Sequence, residues 1–343
     1  MTSLRSHYLL MTLSLGLSAT AQQAPPPQAE ISNGLLHAVL SLPDAKTGFY
    51  RGTRFDWSGV IQSLAHDGHN YYGPWFTRTD PKVIDFVFDR NEIVAGPCSA
   101  ITGPVEEFTT HGKALGFDDS KAGGKFIKIG VGVLRRPDAH DYNPYQLYDI
   151  VDPGKWHVET KPDSVEFSQE LSDPSSGYAY RYTKIVRLVN GKPEMLLEHR
   201  LENTGKRTIE SSVYDHNFLV LDSQPVGPDY VVTVPFDIQV RHPESPELTS
   251  VQAHQFTYLK NLTGHQTVAA DLSGFGSQPS DYNIKVENKK AGAGIHIVGD
   301  RPLARVNLWS IRTVLAVEPF IDMSIEPGKE FTWSYTYTYY STK

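Results

Sequence analysis

Residues Met195–Leu221 read MLLEHRLENTGKRTIESSVYDHNFLVL, and this stretch decides the fold class. Two apolar-rich runs, Met195–Asn203 and Thr208–Leu221, flank Asn203-Thr204-Gly205-Lys206. Asn and Gly tolerate the left-handed backbone that a tight connection needs, so the stretch predicts strand, turn, strand. The same grammar extends both ways. Asn190-Gly191-Lys192-Pro193 separates it from a run over Tyr178–Leu188, and Asp152-Pro153-Gly154-Lys155 precedes runs over His157–Thr160 and Ser164–Leu171. Leu35–Leu42, Val83–Phe88 and Phe126–Leu134 read as earlier strands. Arg305–Val317 and Phe331–Tyr340 read as late ones, with Glu326-Pro327-Gly328-Lys329 as the turn between them. Period-2 alternation recurs and helical spacing is sparse after residue 30. Residues 30–343 show no linker and no fixed-period repeat. They are expected to form a single all-β domain, a large two-sheet antiparallel β-sandwich.

Composition narrows the function. The 343 residues carry 32 Lys+Arg against 39 Asp+Glu, a net charge of -7, which argues against nucleic acid as a partner. The single cysteine, Cys98, excludes an intrachain disulfide framework and a Cys-rich zinc site, and reads as a buried structural thiol. Arg5, the apolar run Tyr8–Leu17 and Ala19-Thr20-Ala21 have the layout of a cleaved secretory signal over residues 1–21. The run is too short to span a membrane, and no other stretch reaches that length. Residues 22–29, with Pro25-Pro26-Pro27, read as a disordered leader. The mature protein is thus expected to be soluble, in the periplasm or outside the cell, and without a membrane partner.

Chemistry-bearing residues fall in a few stretches. In Tyr214-Asp215-His216-Asn217, strand alternation puts Tyr214 and His216 on one face and Asp215 on the other. A histidine on a concave sheet face is a proton donor near neutral pH, or else a hydrogen-bonded structural residue. Glu318 precedes Pro319 at the end of Val314-Leu315-Ala316-Val317, and the proline is expected to end the ladder and leave Glu318 at a cleft mouth. A partly desolvated carboxylate there serves as a base, or as an edge ion pair. His111-Gly112 lies in a loop-like stretch. Arg54 with Trp57, and further on Trp75 and Trp156, combine fork donors with aromatic plates, which suit sugar hydroxyls and ring faces; the same tryptophans also serve as core filler. His66-Asp67-Gly68-His69 lacks a third nearby ligand, so no metal is assigned. Neither a phosphate loop nor a G-x-S-x-G elbow occurs. Asn261-Leu262-Thr263 matches a glycosylation acceptor only for a eukaryotic secretory route.

In their order along the chain, these stretches resemble the galactose mutarotase (aldose 1-epimerase) superfamily, whose fold is a large β-supersandwich. Asn203–Lys206 leading to Tyr214–Phe218 looks like the turn and strand bearing that family's acid histidine, and Val317-Glu318-Pro319 like the strand bearing its base. His111-Gly112 looks like its substrate-binding histidine, and Arg54 like its sugar-gripping arginine, although Gly52-Thr53-Arg54-Phe55-Asp56 departs from the usual G-R-x-A-N-R. Asp215 also fits the motif of the family's sugar-binding aspartate. The resemblance implies a cofactor-free proton relay on a mono- or oligosaccharide, with Glu318 as base and His216 as acid. His111, Arg54, Trp57, Trp75, Trp156, Tyr214 and Asp215 would bind the substrate. A polysaccharide lyase or glycoside hydrolase on the same fold, or a non-catalytic carbohydrate-binding protein, are the alternatives.

Overall fold

The structure is a computed structural model that describes residues 25–241 and 245–342. The proposed signal segment and the first residues of the proposed leader lie outside the described residues. The first strand is Gln28–Ser32, so regular structure starts two residues inside the stretch expected to be disordered. About 53% of the chain is strand, as expected, and the described residues contain only two short 3-10 turns, Leu221–Ser223 and Pro279–Asp281.

Two antiparallel sheets dominate. The larger has ten strands, among them Ser164–Asp173, Tyr178–Leu188, Glu194–Asn203 and Glu330–Ser341 as neighbours. The smaller has six, in the order Gln239–Arg241, Thr267–Ser273, Arg305–Ile311, Val314–Ile325, Ile209–Leu219 and Gly103–Thr109. We call Ile209–Leu219 the histidine strand and Val314–Ile325 the glutamate strand. Alternation explains how the sheets face each other. In Glu330–Ser341, Trp333, Tyr335, Tyr337 and Tyr339 are buried and the residues between them are not. Tyr337 reaches the opposite sheet, its hydroxyl 2.8 Å from Asp215 Oδ2 and 2.9 Å from Asn217 Oδ1. Asp215 and Asn217 therefore face the interior, whereas Tyr214, His216 and Phe218 face the other side of the six-stranded sheet.

Three expectations need correction. Phe126–Leu134 is a hairpin of two strands, Lys125–Lys128 and Gly132–Arg135, not one strand. Gly130 (φ +77°) turns the chain, and a Cβ there would come within 2.5 Å of Asp56 Oδ1. Arg305–Val317 is likewise a hairpin, reversed at Arg312-Thr313 with neither Gly nor Asn to mark it. Finally, Pro319 does not end its ladder: the glutamate strand runs twelve residues to Ile325 through the middle of the sheet. The proline is tolerated where pairing to the histidine strand skips Asp215 and His216, and where Asn217 Nδ2 donates to the Val317 carbonyl (2.8 Å).

Candidate active site

The cavity face of the six-stranded sheet can be built from register alone. Tyr214 pairs with Phe320 and Asn217 with Val317, which sets His216 across from Glu318. Glu318 pairs with Asn307, and Asn307 with Asp271. A polar row His216–Glu318–Asn307–Asp271 thus crosses four strands, about 14 Å at the usual strand spacing. One row away lie Glu107, Tyr214, Phe320 and Arg305, and on the other side Phe218, Ala316, Trp309 and Ala269. Loops close over this floor and leave a cavity of about 750 Å³ that Arg54, Asp85, Phe86 and Tyr145 also line.

His216 and Glu318 touch: Nε2 lies 3.1 Å from Oε1. Both side chains are nearly buried, at 5% and 10% exposed. The imidazole stacks on Phe218 at 3.7 Å and meets the edge of Phe55, while its Nδ1 has no partner. Burial, helped by the Arg54 charge, pushes the His216 pKa well below the ordinary histidine value. Burial raises the Glu318 carboxyl to about 7, against the opposing pull of Arg54 and a 3.5 Å contact from Asn307 Nδ2. Both shifts disfavour a separated ion pair. Just below neutral pH the two groups therefore hold one proton, and both shifts place it on the Glu318 carboxyl, facing a neutral imidazole.

Beside the pair sits a second buried cluster. Arg54 Nε donates to Glu107 Oε2 (2.7 Å), Tyr214 donates its hydroxyl to the same oxygen (2.5 Å), and Lys128 Nζ donates to Oε1 (3.0 Å). Burial alone would raise the Glu107 carboxyl, but Lys128 and Arg54 outweigh it and hold it down at about 2. Arg54 is sandwiched between the rings of Phe55 (4.4 Å) and Tyr145 (4.7 Å). Its two hydrogen bonds, to Glu107 and to Tyr214 (3.1 Å), leave further N–H donors toward the cavity.

Of the residues singled out in the sequence, the cavity gathers Glu318, His216, His111, Arg54, Trp75 and Tyr214. His111 is exposed at the rim, in a turn with φ +51°. Trp75 is buried behind the wall, stacked on Phe218 at 5.7 Å. Three residues do not join them. Trp57 is core: it is 1% exposed, with its indole N–H bonded to the Gly52 carbonyl. Trp156 packs half-buried on the edge strand Lys155–Thr160 of the ten-stranded sheet. Asp215 points into the interior toward Tyr337, as alternation from His216 demands. Sequence reasoning missed Glu107, Asp271, Asn307, Trp309 and Asp85. Glu107 stands four residues before His111, and Asn307 and Trp309 sit two apart in a run already read as strand. Asp271 lies on Thr267–Ser273, a strand the sequence did not reveal.

His66 and His69 pair across a two-residue hairpin, and His69 Nδ1 contacts Asp222 Oδ2 (2.7 Å). Among the described residues no group of three or more His, Cys, Asp or Glu is arranged to hold a metal ion.

Solved structures share this fold at low identity. The Slr1438 protein of Synechocystis sp. PCC 6803 matches with a TM-score of 0.55 and 12% identity, over 96% of this chain and 100% of that one. A galactose mutarotase related enzyme from Lactobacillus acidophilus matches at 0.53 and 13%, over 92% and 98%. A galactose mutarotase-like protein from Lactobacillus casei matches at 0.51 and 13%, over 92% and 100%. No protein-family model and no curated protein matches the chain. The chain therefore has the galactose mutarotase-like β-sandwich fold.

Proposed function

We propose that this protein interconverts the anomers of an aldose, with Glu318 as base and His216 as acid. The observation that supports it is the 3.1 Å contact between two buried groups whose pKa values are pushed toward sharing one proton. For the reaction that proton must first pass from Glu318 to His216 across the 3.1 Å contact, which leaves a carboxylate to accept and an imidazolium to donate. Glu318 takes the proton of the anomeric hydroxyl while His216 gives one to the ring oxygen, and the bond from the anomeric carbon to the ring oxygen breaks. The carbonyl group rotates, and the reverse transfers close the ring as the other anomer. The pair begins and ends each cycle with one proton, so no cofactor or net acid is consumed. Arg54, Asn307 and Asp271 are placed to hold hydroxyls, and each positioned acid or base contributes about 10²–10⁴-fold. The fold shared with mutarotase-named proteins supports this reading by analogy alone.

The lyase alternative is the less favoured reading. Of its two candidate bases Tyr214 is bonded to Glu107, which also neutralises the Arg54 charge a uronate would need, and His216 alone remains available to it. We further propose that the protein acts after export, with residues 1–21 removed. The test is polarimetry of freshly dissolved α-aldoses, beside a screen of polysaccharides for new reducing ends and unsaturated uronates. Faster decay of optical rotation supports the proposal; products from the polysaccharides and none from the aldoses would replace it with a lyase or hydrolase.

A further inference from the structure

This inference rests on the reading just given. We propose that the cavity takes the reducing end of an oligosaccharide, with the next sugar ring stacked on Trp309 and Phe86. Aromatic rings neighbour the reacting atoms. Trp309 lies 6.0 Å from the His216 ring, and Phe86 lies 5.6 Å from Trp309. Both line the cavity and both are only half-buried. Trp75, 5.7 Å from each, is 3% exposed and backs them from behind. Unlike Trp75, these two keep part of their surface exposed and line the cavity.

The polar row explains only part of the space. His216, Glu318, Asn307 and Asp271 give one ring its proton transfers and hydroxyl partners. The cavity of about 750 Å³ lies high in the range of roughly 300–1,000 Å³ that holds drug-sized ligands, and it continues past that row to the aromatic wall. A sugar ring presents weakly positive C–H bonds on its faces, which match the negative face of an aromatic ring, and hydroxyls around its edge. Asp85, Asp271 and Asp322 line the same cavity together with Arg54 and Arg305, so it offers both acceptors and donors to a hydroxylated ligand. The reaction needs a free anomeric hydroxyl within reach of the touching His216–Glu318 pair, so the second ring must hang from another position of the first. That makes it the penultimate unit of a reducing oligosaccharide.

The test is calorimetric titration of wild type and Phe86→Ala with maltose, cellobiose and lactose, and with glucose and galactose. The expected result is at least one disaccharide bound about ten-fold more tightly than its component hexoses. Phe86→Ala should erase most of that excess, about five-fold or more, and leave hexose affinity unchanged. Disaccharides that bind no better than hexoses to wild type would overturn the proposal whatever the variant does. Equal weakening of both classes in Phe86→Ala would also overturn it. Because binding is read without turnover, failure here is distinct from failure of the anomer-interconversion reading, which polarimetry decides.

Discussion

Glu318 and His216 were legible from the sequence because each stands in a short polar interruption of an apolar strand. Their contact was not, since it depends on a register set more than a hundred residues away. That contact makes a pH prediction. Unperturbed, a glutamate and a histidine would hold one proton together between about pH 4.3 and 6.5. Here the Glu318 carboxyl is raised to about 7 and the His216 imidazole is lowered. Raising the pH through about 7 therefore removes the shared proton, and lowering it well below 6.5 adds a second. The expected kcat/KM profile is a bell whose alkaline limb falls near pH 7 and whose acid limb lies below the ordinary histidine range. A rate that keeps rising to pH 9 would contradict it. Glu107 makes a stability prediction at the same scale. Glu107→Ala strands Lys128 and Arg54 as buried, unpaired cations, and should cost about 3–5 kcal/mol in urea unfolding.

At the scale of elements, alternation did most of the work. Tyr178–Leu188 is a strand with the bounds its pattern gave, because Asn190-Gly191 marks its end. Two hairpins were invisible for the opposite reason: Gly130 lies alone between the apolar Ile129 and Val131, and the second hairpin reverses at Arg312-Thr313 with no turn residue to mark it. Short strands between Tyr230 and Gly299 were missed because each spans only three to seven residues, and with them went Asp271. The inner face of Glu330–Ser341 offers a direct check. Tyr337 donates toward two acceptors across the sheets, so Tyr337→Phe keeps the ring and leaves Asp215 and Asn217 short of a partner. We expect a loss of about 1–3 kcal/mol in thermal or chemical denaturation. No measurable change would show that the hydroxyl contact carries nothing.

Across the whole molecule, the six-stranded sheet separates two kinds of polar chemistry. Adjacent residues Glu106 and Glu107 point to opposite faces. Glu107 serves the cavity, while Glu106 lies between the sheets, bonded to Lys184 and, at 2.6 Å, to His199 Nε2. Burial favours the neutral acid there, but Lys184 and His199 hold the Glu106 carboxyl down at about 2. Asp215, on the back of the histidine strand, is pushed well up by burial and by Glu106 beside it. This interior network joins the sheets behind His216 and Glu318, and Lys184→Met should destabilise the fold by about 3–5 kcal/mol by taking the buried cation away from Glu106. The central claim concerns the other face, and Glu318→Gln tests it most directly, because it keeps size and removes the base. On the sugar that wild type mutarotates fastest, polarimetry should show the variant slowed by about 10²-fold or more, with its unfolding midpoint unchanged or raised. An unchanged rate in Glu318→Gln would contradict the account and make the carboxylate a structural group.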